Sequence, residues 1–182
     1  MKGVYSSPDS VLAERSQQSL FPDMTYGLDS GGDPEVIPHL TYRAFKAFHE
    51  SHYHPSNTRF FFWGDDPEEG RFALLDPYLS RFTARETDSA VPLQPRLDMP
   101  RQLEFPYAAG EDGDKGHVAV NWLTCETADT GELLVLEMLE HILLGLPGSP
   151  LRKALIESGL GEDLTGSGLE TDLRQTFFSV GL

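Results

Sequence analysis

At 182 residues with 29 acidic and 14 basic side chains, the chain is long enough for one sizeable core or two small ones and carries a formal net charge of −15. That balance argues against nucleic acid or an anionic membrane as partner, since both call for a cationic face, and fits a solvated acidic surface or a protein that handles cationic ligands. Cys125 is the only cysteine, so a disulfide framework and a thiolate metal cluster are both excluded, and a reducing compartment is the default.

Ser7-Pro8-Asp9 predicts a helix start, with serine at the cap, proline in the first turn and an acid at the positive end of the dipole. This helix runs to about Leu20, before Pro22. The six residues ahead of Ser7 lack the apolar core of a signal peptide and read as the middle of a helix. Tyr26 to Pro38 forms a loop turning at Ser30-Gly-Gly-Asp-Pro34. Thr41 caps a second helix with Tyr42, Phe45 and Phe48 on one face, closed by Pro55. Thr58 to Trp63 reads as an aromatic strand, and a further helix carries Phe72, Leu75, Leu79 and Phe82. From Thr83 to Pro100, prolines 92, 95 and 100 and the loss of periodicity mark an extended linker. Beyond it, Arg101 to Ala108 and His117 to Thr124 read as strands, Ala128 to Leu144 as a long helix, Ser149-Pro150 as the start of a shorter helix ending at Gly159, and Phe177 to Val180 as a closing strand. No apolar run approaches the roughly 20 residues needed to span a bilayer. The fold class is therefore α+β, in two incomplete units.

Glu137-Met-Leu-Glu-His141 falls one residue short of the inverted zinc-peptidase motif His-x-x-Glu-His, in which two histidines four apart hold the metal and the glutamate activates its water. Here a glutamate stands where the first histidine would be. Glu137 and His141 share a helix face, but the flanking sequence offers no third ligand, and a helix this apolar is expected to pack in a core. His49, His52 and His54 form a second histidine-rich stretch. Positions i and i+3 share a face and i+5 does not, so a helix C-terminus with histidines near the negative dipole end is favoured over a metal cluster. Ser30 to Asp33 and Gly159 to Gly161 match no nucleotide-binding loop, and no Gly-x-Ser-x-Gly elbow occurs. Cys125, at a strand end with no evident base, reads as an inert thiol. No residue of this chain is assigned as catalytic, cofactor-binding or metal-ligating.

Met1 to Pro8, Thr25 to Pro34, Leu40-Thr41, Phe45 to Phe48 and Tyr53-His-Pro-Ser-Asn57 resemble, in order, the presequence proteases of the pitrilysin and insulin-degrading-enzyme family. Asn121-Trp-Leu123, Ser149 to Gly161 and Phe178 to Leu182 continue the resemblance. It implies a zinc peptidase of four similar α/β domains in two halves that close around unstructured peptides. On that basis residues 1–82 are the end of the first, catalytic-type domain, 83–100 a linker, and 101–182 the start of a second, non-catalytic repeat. The inverted motif and the third zinc ligand would both precede Met1, and Glu137 to His141 would be the degenerate counterpart in the repeat. The resemblance thus implies a fragment that holds no cofactor itself, is inactive alone, and belongs to a zinc-containing parent. The alternative is a non-catalytic partner half of a two-chain peptidase. The implied compartment is the bacterial cytosol, alternatively an organelle matrix. Self-association through apolar faces is expected, with neither nucleic acid nor membrane as partner.

Overall fold

The computed structural model describes residues 7–107 and 116–182. The segment ahead of Ser7, read above as helical, and Ala108, the last residue of one expected strand, lie outside them. By contacts the chain falls into two compact units, one made of residues up to Pro34 together with Val91–Leu182, the other of Glu35–Ala90.

In the first unit, helix α1 (Pro8–Leu20) begins as its sequence dictates: Ser7 Oγ accepts the Ser10 N–H at 3.4 Å, Pro8 opens the first turn and Asp9 faces the dipole. Its end delivers Leu20 and Phe21 to the face of a three-stranded antiparallel sheet of β1 (Ala119–Glu126), β2 (Thr165–Glu170) and β3 (Gln175–Gly181), ordered β1-β3-β2. Phe21 is fully buried. It meets Phe177 edge-on at 6.2 Å and Tyr26 at 5.5 Å, with Met24, Leu123 and Leu173 around them. Burying such a ring contributes about 1.5–3 kcal/mol, so this cluster anchors the unit. The central strand β3 is covered on both faces at Thr176, Phe177, Ser179 and Val180. Helices α4 (Thr130–Leu144) and α5 (Pro150–Glu157) form the crossover from β1 to β2. Asp129 caps α4 through the Glu132 N–H at 3.1 Å. Ser149 stands at the cap position of α5, but its hydroxyl accepts from Leu146 N–H at 3.0 Å and donates to His141 carbonyl at 3.4 Å, fixing the α4–α5 turn instead.

The second unit holds α2 (Tyr42–His52), capped by Thr41 Oγ1 on the Ala44 N–H at 3.2 Å, and α3 (Glu68–Leu79). None of its residues is buried.

The mixed α+β class holds, and three expected details are corrected. Residues 58–63 run without helix or strand assignment and pair with no neighbour among the described residues, so the aromatic pattern is present without the ladder that would make it a strand. Residues 101–107 form no strand either, because Pro100 and Pro106 remove backbone donors at both ends. A strand not expected from sequence, β2, is built on Gly166 (φ +97°) and Gly168 (φ +70°), with a register shift against β3 between Thr165 and Gly168. A Cβ on Gly166 would stand 2.7 Å from the Ser179 carbonyl oxygen, so the position admits only glycine.

Candidate functional site

Helix α4 carries the motif-like residues, and its rotation separates them. Glu137 and His141, four apart, line one shallow open groove with Leu134, Met138 and Ile142. Glu140 points the other way, toward β2, where a Cβ added to Gly168 would come within 2.8 Å of its Oε1. The acid that would have to sit beside a metal-bound water is therefore turned to the sheet. The imidazole of His141 leans on the α4 terminus: a Cβ on Gly145 would lie 2.5 Å from its Nδ1. Among the described residues no group of three or more His, Cys, Asp or Glu is placed to hold a metal ion. A catalytic zinc needs three protein ligands and an open position, and the donor set here supplies two on one face, so these residues do not fit that ion.

The other candidates are each engaged locally. His49 stacks on Tyr53 at 4.7 Å and His52 on Phe48 at 4.4 Å, while His54 meets Phe82 edge-on and accepts the Ser56 N–H at 3.2 Å. The three rings thus face three different neighbours rather than a common point. The Cys125 thiol is buried, 3.4 Å from Thr176 Oγ1. Thr176 donates to the Cys125 carbonyl at 3.0 Å and shares a 2.6 Å hydrogen bond with Thr124 Oγ1. Buried against a threonine hydroxyl, this thiol packs as a small apolar group.

One pair that sequence reading missed is electrostatically distinct. Arg71 on α3 holds Asp66 through two hydrogen bonds of 2.7 and 2.5 Å and also donates to the Gly64 carbonyl at 3.0 Å. The guanidinium holds the Asp66 carboxyl below its ordinary range, and the carboxylate raises Arg71 in turn. The Gly64-Asp65-Asp66 turn, with Gly64 at φ +144°, places the acid five residues before the arginine, a spacing that could have been read as a staple. Its role is to tie the turn to the helix.

What α4 and the second unit chiefly present is uncovered apolar surface. Leu134, Val135, Met138 and Ile142 on α4, and Phe45, Phe48, Phe61 and Trp63 in the second unit, are all exposed, Trp63 by 91%. Patches on this scale mark surfaces that meet other protein.

Comparison with known proteins shows the family. The family described as "Peptidase M16 inactive domain" matches residues 39–182. The chain is 48% identical over its whole length to "Presequence protease 1, chloroplastic/mitochondrial" of Arabidopsis thaliana, covering 17% of that protein. It is 40% identical, again over its whole length, to "Presequence protease, mitochondrial" of Mus musculus, covering 18% of it. With "Protein HypA" of Clostridium perfringens it shares 35% identity over 99% of this chain and 19% of that one. It therefore spans less than a fifth of the length of these relatives. The chain belongs to the peptidase M16 family, similar from end to end to one section of the presequence proteases.

Proposed function

We propose that this chain is the joint between two domains of an M16 zinc peptidase that degrades unstructured oligopeptides in a closed chamber, and that it contributes structure rather than chemistry. In this reading residues 1–82 end a catalytic-type domain, 83–100 connect it, and 101–182 begin a repeat that has lost its motif. The observation that carries it is α4: a helix with Glu137, Glu140 and His141 in the motif's spacing, its first histidine replaced and its middle acid turned to Gly168. The zinc ligands belong to the parent protein ahead of Met1, and its remaining domains cover the apolar faces left open here. The bacterial cytosol is the proposed compartment and an organelle matrix the alternative; two of the relatives carry mitochondrial or chloroplastic in their names, and the third is a bacterial protein. No helix among the described residues is long and apolar enough to cross a membrane.

The test uses the full-length gene product. A His-x-x-Glu-His must precede this section, and replacing its glutamate by glutamine should abolish peptide cleavage. Replacing Glu137 and His141 together by alanine should leave the zinc content at the wild-type stoichiometry. Loss of zinc from the second variant would assign the metal to α4 and overturn the proposal. The second reading, a non-catalytic partner half, draws on the word "inactive" in the family description. It requires a gene without the upstream motif and a separate chain that carries it.

A further inference from the structure

Residues 83–97 have neither helix nor strand, yet their polar groups are tied down at both ends. In the second unit the Arg85 N–H donates to Ser56 Oγ at 3.1 Å, and its guanidinium donates to the carbonyls of Glu50 and of Ser51, the latter at 3.1 Å. Those carbonyls sit in the last turn of α2, where they lack helical partners and the dipole is negative, so a guanidinium is a natural cap. Four residues on, Ser89 Oγ donates to Asn57 Oδ1 at 2.6 Å.

In the first unit the fixed point is Gln94, only 3% exposed. Its N–H donates to Gln175 Oε1 at 2.5 Å and its carbonyl accepts from Gln175 Nε2 at 3.1 Å. The Gln175 carboxamide thus stands in for a neighbouring strand, offering one acceptor and one donor to a single extended residue. Pro95 confines Gln94 to that extended conformation beforehand, because the residue ahead of a proline is kept out of the helical region. The Gln94 side chain repeats the pattern on Asp23, accepting its N–H at 3.2 Å and donating to its Oδ2 at 2.8 Å. Arg174 donates to the Val91 carbonyl, while its own N–H donates to Tyr26 Oη at 3.1 Å.

We infer that the connection is a strap latched at both ends. Arg85 and Ser89 hold it to α2 and the turn after it, and Val91 and the Gln94–Gln175 carboxamide pair hold it to the start of β3, so the untied part of this connection is confined to the stretch between Ser89 and Val91. The bonds to Asp23 lie within the first unit and tie the strap there to the segment that follows α1. None of this depends on the peptidase reading.

Hydrogen exchange of the full-length gene product, resolved to single amides, tests it. The Gln94 amide should exchange at least tenfold more slowly than that of Ala90. Gln175→Ala should speed it at least tenfold and open residues 91–97 to protease, with Ser179 and Val180 in β3 unchanged. Gln94→Ala loses the Asp23 bonds but keeps the backbone pairing, so the amide at 94 should stay protected. Should Gln175→Ala also loosen β3, Gln175→Glu serves instead. It keeps an acceptor for the Gln94 N–H but faces the Gln94 carbonyl without a donor, and should raise cleavage of the strap in a folded protein. A Gln94 amide as fast as Ala90 in the wild type, or a strap indifferent to both changes at Gln175, would overturn the inference.

Discussion

The two units of this chain have comparable apolar patterning and opposite outcomes. In the first, Leu20, Phe21 and Phe177 close into a buried cluster, and β3 is covered on both faces. In the second, Phe45, Phe48, Phe60, Phe61, Trp63 and Phe72 are spaced for burial, yet no residue between 35 and 90 is buried. Burial is worth about 25 cal/mol per Å² of apolar surface, so a unit whose side chains are at most partly buried leans more heavily on local hydrogen bonds, caps and ring contacts. The difference teaches that a hydrophobic pattern records what a segment packs against in the complete protein. In the first unit the partners α1, β1 and β3 are all present. In the second they are not among the described residues, in keeping with a chain that spans under a fifth of its relatives.

The sharpest way to test that contrast is a pair of truncations. Phe21→Ala should cost about 3–5 kcal/mol in urea unfolding, the range for large-to-small changes of a buried ring. Trp63→Ala in the same 182-residue chain should stay within about 0.5 kcal/mol, as for surface substitutions. In the full-length protein, Trp63→Ala should become the more costly of its two measurements. Equal costs for both variants in the short chain would erase the distinction between the units.

A smaller effect is expected from the uncovered faces themselves. The isolated chain should bind a hydrophobic dye and associate as its concentration rises, through α2, 58–63 or the Leu134-to-Ile142 face of α4. A strictly monomeric, dye-free chain at high concentration would show those faces to be satisfied already.

The smallest effect concerns pH. Because Arg71 lowers the Asp66 carboxyl below its ordinary value near 3.9, the pair contributes stability above that value, and the contribution is lost as pH falls through the folded-state value. Asp66 stands at an exposed turn and Arg71 in the first turns of α3, so the change should be local to residues 64–71. An NMR titration of the Asp66 carboxyl reads it directly, and Arg71→Gln should return the midpoint to the ordinary carboxylate range. An unchanged midpoint would remove the staple from the account.

The legibility of the fold followed how local each signal was. Ser7-Pro8-Asp9 and Thr41 announce α1 and α2 because capping is written within four residues. The β2 strand is hidden because Gly166 and Gly168 are poor strand formers, kept by close approach to β3 and Glu140 that only tertiary packing reveals. The 58–63 segment misleads in the opposite sense, since a run of aromatics states a preference and pairing requires a neighbour. Gln94 was unreadable for a third reason: its partners lie 71 and 81 residues away. At the candidate site, the spacing of Glu137 and His141 showed that they share a face. That Glu140 turns to Gly168 depends on where the sheet lies, and no local pattern contains it.

Zinc content and peptide cleavage, measured together on the purified 182-residue chain, test the central claim most directly. Glu137 and His141 give two ligands where catalysis needs three, so the chain dialysed against zinc should retain far less than one ion per molecule and leave unstructured peptides intact. Glu137→His restores the letters of the motif without a third ligand and should remain inactive. Stoichiometric zinc together with chelator-sensitive cleavage, lost on His141→Ala, would contradict the account and make α4 an active site.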